Sequence, residues 1–136
     1  LPPRLAGLAD PVLRGSLSLI FIIGGLGHFL AHDHMLSRMD QSPWKAIVGQ
    51  IGEPSVLLWA SGAVFIAAGT TLALGWMTRL SAMALFITLV PITAAVHLAP
   101  GHTGPLFKNI AILGGLFFVF VRGPGSHALD QKSLAR

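Results

Sequence analysis

Residues 55–98 read SVLLWASGAVFIAAGTTLALGWMTRLSAMALFITLVPITAAVHL: two apolar runs, Ser55 to Leu74 and Leu80 to Leu98, parted by Gly75, Trp76, Met77, Thr78 and Arg79. Each run has the roughly 20 residues an α-helix needs to cross the hydrocarbon of a bilayer. A link this short forces the two helices antiparallel. Outward from this hairpin lie two further apolar runs, about Val12 to Leu30 before it and about Leu106 to Val121 after it. The second of these is reached through a tight link from Ala99 to Pro105, which holds Pro100, Gly101 and Gly104. The expected fold class is all-α: a four-helix transmembrane bundle with antiparallel neighbours, formed by residues 1–136 as a single domain.

Composition agrees. Charged residues make up 10 % of the 136-residue chain and hydrophobic ones 53 %, a balance unsuited to a water-soluble domain. Cysteine is absent, which removes disulfides, thiolate metal sites, iron–sulfur clusters and cysteine nucleophiles from consideration. The net charge of +4 comes from basic residues scattered singly beside apolar runs, so no nucleic-acid partner is expected. With both termini on one side, Arg4, Arg14, Arg79, Arg122, Lys132 and Arg136 face Arg38, Lys45 and Lys108 across the membrane. The excess places the termini in the cytoplasm of a bacterial inner membrane. The chain opens on Leu1 instead of methionine, read here as a trimmed N-terminus, and no cleavable signal is recognisable after it.

Small residues mark the packing faces: Gly24, Gly25 and Gly27, then Ser61, Gly62 and Gly69, then Ser81, Ala84, Ala94 and Ala95, then Gly114 and Gly115. Gly24-Gly25-Leu26-Gly27 lies inside an apolar span and lacks the strand-then-helix setting of a nucleotide fingerprint. Pro91 predicts a kink that frees the carbonyl of Ile87. Between Ala31 and Pro54 runs the one long connection, where Met35, Leu36, Met39, Trp44, Ile47, Val48 and Ile51 recur among polar residues. That pattern predicts short amphipathic helices in an outer loop; a plain interfacial loop is the expectation, with a functional lid as the alternative.

Five of the six histidines fall at one face of this bundle: His28, His32 and His34 at or just past the end of the first span, His97 and His102 at or just past the end of the third. Glu53, the only glutamate, enters the same face. Ionisable groups at membrane depth are costly and pair with or bind something. His28 and His32 are four apart, a spacing that offers two imidazoles to one metal if the helix persists, or that merely caps carbonyls. His28, His32, His34, His97 and His102 are thus candidate metal ligands, and nitrogen and oxygen donors of this kind suit iron, copper or zinc. A haem held by His28 and His97 is less favoured, since such ligands usually sit deeper. Lys108 either snorkels to the interface or turns inward to pair with Glu53. Arg14 and Arg122 read as interfacial anchors, and Trp44, Trp59 and Trp76 as an aromatic belt, with Trp59 deep enough to line a cavity. No serine is placed by sequence beside the histidines, so no nucleophile triad is expected.

Several stretches together resemble the DoxX/DoxD family of small membrane proteins. They are Arg14 to His28, Gly52-Glu53-Pro54, the turn Gly75 to Arg79, His97, Lys108-Asn109, and the closing run Ile110 to Gly115, Gly123 to Ser126 and Leu129-Asp130. The resemblance implies a four-helix bundle and an association with redox biology, its members including the membrane subunit of a thiosulfate:quinone oxidoreductase and partners of oxidative-stress enzymes. It also implies a pocket around Glu53, His97 and Lys108, positions the family keeps polar, whereas His32-Asp33-His34 looks like an addition that argues against thiosulfate oxidation.

The leading expectation is therefore a redox-associated membrane component, with membership in a quinone-linked oxidoreductase as its enzymatic form, whose outer-face pocket of His28, Glu53, His97 and Lys108 binds a quinone or a transition metal. Glu53 and His97 are the catalytic candidates, with Glu53 accepting a proton and Lys108 tuning it. The alternative is a non-catalytic accessory subunit of a larger membrane complex. Its partners are the lipid bilayer, other membrane or periplasmic redox proteins, or further copies in a homo-oligomer. A small-solute transporter is less favoured, because the chain shows no internal repeat.

Overall fold

In a computed structural model, which describes residues 2–98 and 100–134, the four apolar runs form four long helices able to cross a membrane. Leu1, Ala99 of the third link and Arg136 of the charge count lie outside the described residues. A single turn, α1 (Pro3–Ala6), leads into α2 (Ala9–Leu30). Next come α3 (His32–Asp40) and α4 (Lys45–Ile51), then α5 (Pro54–Leu74) and α6 (Thr78–Ile92). A π-helical turn, Thr93–His97, extends α6, and α7 (Thr103–Arg122) and α8 (Leu129–Leu134) complete the chain. No strand occurs among the described residues. Helix α2 starts at Ala9, three residues before Val12 where the apolar run was read to begin, because Asp10 finds partners at the helix start instead of ending it.

The hairpin from α5 to α6 is closed by Gly75, in the left-handed region at φ 67°. There the N–H of Trp76 donates to Thr71 O (2.9 Å) and that of Gly75 to Leu72 O (3.1 Å), satisfying carbonyls that the helix end would leave bare. Helices α2 and α5 pack most intimately, and their partners step in opposite directions: Phe21 with Phe65, Gly25 with Gly62, His28 with Ser61. The crossing is tight at the glycines, where a Cβ on Gly25 would lie 2.8 Å from the carbonyl oxygen of Gly62. In lipid, where water drives no helix together, such backbone approach and the dispersion it allows hold the pair.

The core fills the half of the bundle nearer the termini, with Leu17, Phe21, Phe65, Leu72, Leu85, Leu116 and Val119 all buried. Phe21 meets Phe65 edge to face, ring centroids 4.9 Å apart. Outward faces carry Ile23, Leu30, Ile87 and Phe117, as lipid contact requires. Pro91 stands inside α6, and the chain widens into the π turn directly after it. A proline removes one helical N–H, and such local widening is how the ladder resumes beyond it.

At the termini end the structure corrects one expectation. Arg14 is no interfacial anchor: it is 2 % exposed and turns inward. Its guanidinium donates to the carbonyls of Pro124, Ser126 (3.1 Å) and His127 (3.3 Å). Water cannot solvate a cation at this depth, so the loop after α7 supplies the acceptors. Arg122, by contrast, is exposed at the end of α7 and pairs with Asp10 at 2.9 Å.

Candidate functional site

The opposite end of the bundle is hollow. A cavity of about 540 Å³ opens between α2, α5 and α6, and α3 and α4 cover it with Met35, Met39, Trp44, Ile47, Val48 and Ile51. The long connection is thus a roof over a cavity and not a plain interfacial loop, because its apolar stripe has a hollow to face. Two bonds hold the roof to the π turn region: the Ser42 hydroxyl donates to Ala95 O, and the Trp44 indole N–H to Leu98 O at 3.2 Å. Helix α7 fixes the start of that turn, since buried Asn109 donates its amide to Thr93 Oγ1 at 3.0 Å.

The remaining wall is apolar apart from His28, Arg38, Ser61, Thr88 and His97. His28 is buried on α2, its Nδ1 lying 2.9 Å from Ser61 Oγ and 3.1 Å from Leu58 O. His97 ends the π turn, 5.8 Å centroid to centroid from His102, and its buried Nδ1 has no hydrogen-bond partner. A buried polar group left unmet costs about 1–3 kcal/mol, and Nδ1 of His97 carries that cost in the wall of the cavity.

The other candidates stand elsewhere. Helix α2 stops at Leu30, so His32 opens α3 and does not continue the helix that carries His28. Instead His32 Nδ1 meets His28 O (3.2 Å), Nε2 meets Ser55 Oγ (2.7 Å), and the ring stacks on Trp59. His34 is exposed on α3 and His102 precedes α7. Among the described residues no three His, Cys, Asp or Glu side chains converge as a metal set. Glu53 is exposed and caps α5, accepting from the N–H of Val56 at 2.9 Å. Lys108 is exposed and makes no ion pair with it among the described residues. Trp59 stacks on His32 outside the cavity, whereas Trp44 lines it.

Two serines do lie beside histidines, contrary to expectation: Ser61 at His28 and Ser55 at His32. Antiparallel pairing of α2 with α5 carries Ser61 to His28, and counting back along both helices from a shared crossing is the signal that finds it; Ser55 meets His32 at the start of α3. The Ser61 hydroxyl donates to Leu58 O at 2.8 Å and so serves the helix backbone. Sequence also hid the knot at the termini end, where Asp130 accepts from Met77 N (2.8 Å), Thr78 N (2.9 Å) and Thr78 Oγ1 (2.8 Å).

The sequence profile of the family described as DoxX matches residues 9–98, from the start of α2 through the π turn. The chain is also 29 % identical over 140 aligned positions to the inner membrane protein YphA of Escherichia coli (strain K12), covering 93 % of this chain and 94 % of the relative. No solved structure gives a significant match.

Proposed function

We propose, since this chain belongs to the DoxX family and is a multi-pass inner-membrane protein, that it is a redox-associated component binding a quinone beneath the α3–α4 roof. The cavity carries this reading: about 540 Å³, almost wholly apolar, with the imidazoles of His28 and His97 in its wall. Ligand pockets of this size with few polar points are typical of small-molecule sites. A quinone is apolar but for its carbonyl oxygens, and an N–H on His97 would donate to one of them. A metal is less well supported, because both nitrogens of His32 and Nδ1 of His28 already have protein partners. Glu53 and Lys108, read from the sequence as part of the pocket, are not among the residues that line the cavity. The roofed end faces the periplasm in this reading and the termini the cytoplasm, as the distribution of Lys and Arg favours.

The test is extraction of detergent-purified protein for bound quinone, beside titration with a short-chain benzoquinone read by Trp44 fluorescence. His97→Ala is expected to weaken binding about tenfold, the worth of one buried hydrogen bond. Protein that neither carries nor takes up quinone refutes the reading. The accessory-subunit reading has its own support in a hollow on the outer face of α7 formed by Gly114, Phe117, Phe118 and Val121. Co-migration with a larger complex on native gels would favour it.

A further inference from the structure

His28 has a feature that the quinone reading leaves unused. Leu58 O, 3.1 Å from its Nδ1, can only accept a hydrogen bond. The Ser61 hydroxyl has one proton, and it is placed to give it to that same carbonyl at 2.8 Å. Its oxygen then faces Nδ1 at 2.9 Å as an acceptor. Both neighbours of Nδ1 therefore present lone pairs, which fixes the proton on Nδ1. A neutral imidazole has one N–H, so Nε2 carries a lone pair. Nε2 makes no hydrogen bond among the described residues, and His28 is part of the cavity wall.

From this we infer that the cavity, if it takes a quinone as proposed above, is built for the reduced form: His28 Nε2 accepts from a quinol hydroxyl. A quinone carbonyl has only lone pairs to offer there and is repelled. The lock depends on Ser61 and on the backbone of α5, so it is set by the α2–α5 crossing. The ligand class is a hydroxyl-bearing aromatic with an apolar tail. Preferring the quinol tenfold over the quinone would raise the midpoint potential of the bound couple by about 30 mV.

Anaerobic titration of the full chain in mild detergent tests this with three probes: decyl-benzoquinol, decyl-benzoquinone, and the dimethyl ether of the quinol, which keeps the shape and loses both donors. The quinol is expected to bind at least about tenfold tighter than either of the others, the worth of one hydrogen bond gained at Nε2. In His28→Phe, which keeps the ring and removes Nε2, the three should bind within about twofold of one another. A second measurement needs no variant: the ¹⁵N spectrum of histidine-labelled protein should show His28 protonated at Nδ1. Equal binding of quinol and ether by the parent protein, or a proton on Nε2, overturns this inference and leaves the quinone reading standing. Failure of all three probes to bind overturns both.

Discussion

Gly24 and Gly25 are neighbours in one helix, yet only one of them is tied to the fold. A Cβ on Gly25 would meet the backbone oxygen of Gly62 at 2.8 Å, a contact that cannot yield without parting α2 from α5. Around Gly24 nothing lies within 4 Å. Gly25→Ala should therefore destabilise the protein by about 1–3 kcal/mol, as overpacking does. Gly24→Ala should stabilise it by about 0.5–1 kcal/mol by removing helix-interior glycine. Unfolding by SDS titration in mixed micelles measures both, and equal effects would contradict the close crossing. Sequence announced that this run of glycines was a packing surface, but a helix face is not resolved until its partner's register is known. Glu53 shows the same gap differently. An acid before a proline at the start of an apolar run is a helix-start signal, and Glu53 fills that role by capping α5.

The four spans were legible because runs of about 20 apolar residues admit few other structures in a bilayer. Helices α3 and α4 were legible as amphipathic elements, but their apolar stripe fits a lipid interface as well as a hollow in the bundle, and only the tertiary arrangement distinguishes the two. The roof stays shut through Ser42 and Trp44, each bonded to a carbonyl in or beside the π turn. Trp44→Phe keeps an aromatic ring over the cavity and deletes the indole N–H. One net hydrogen bond of about 0.5–1.5 kcal/mol corresponds to about 2- to 12-fold more frequent opening. Amide hydrogen exchange over Lys45–Ile51 should quicken by that factor while exchange in the middle of α5 stays unchanged. Unaltered exchange in the roof would mean that the indole bond does not hold it.

Across the whole molecule, polar chemistry is concentrated at the ends and used oppositely. Among the described residues the histidine end leaves imidazole nitrogens without a protein partner around a hollow, whereas the termini end ties Asp10, Arg14 and Asp130 to distant parts of the chain, though Arg14 Nε is left unmet. Asp10 receives Arg122 and the N–H of Ser126, Arg14 receives three carbonyls, and Asp130 caps α6 from beyond α7. Partners here lie 52 to 113 residues apart in the chain, so no local pattern could announce them. Burial works against ionising Asp130, but hydrogen bonds from Thr78 and Met77 and the positive charge of Arg14 outweigh it and hold the carboxyl below its ordinary value. Because the folded value is the lower one, this contribution to stability is full above about pH 4, the range of an unfolded aspartate. It is lost as pH falls through the folded value. Asp130→Ala should cost about 0.5–2 kcal/mol at pH 7, as loss of a helix cap does. Thermal unfolding from pH 7 to pH 3 should also show a shallower acid decline than in the parent protein; parallel curves would contradict the assignment. The burial of Arg14 bears, finally, on how the protein is made. Its acceptors at residues 124–127 are synthesised after all four spans, so a chain still emerging from the ribosome holds a cation at the start of its first span with none of these carbonyls to meet it. Biogenesis is complete only when that last loop docks, and a chain cut short after Arg122 would be inserted in full yet remain unfinished.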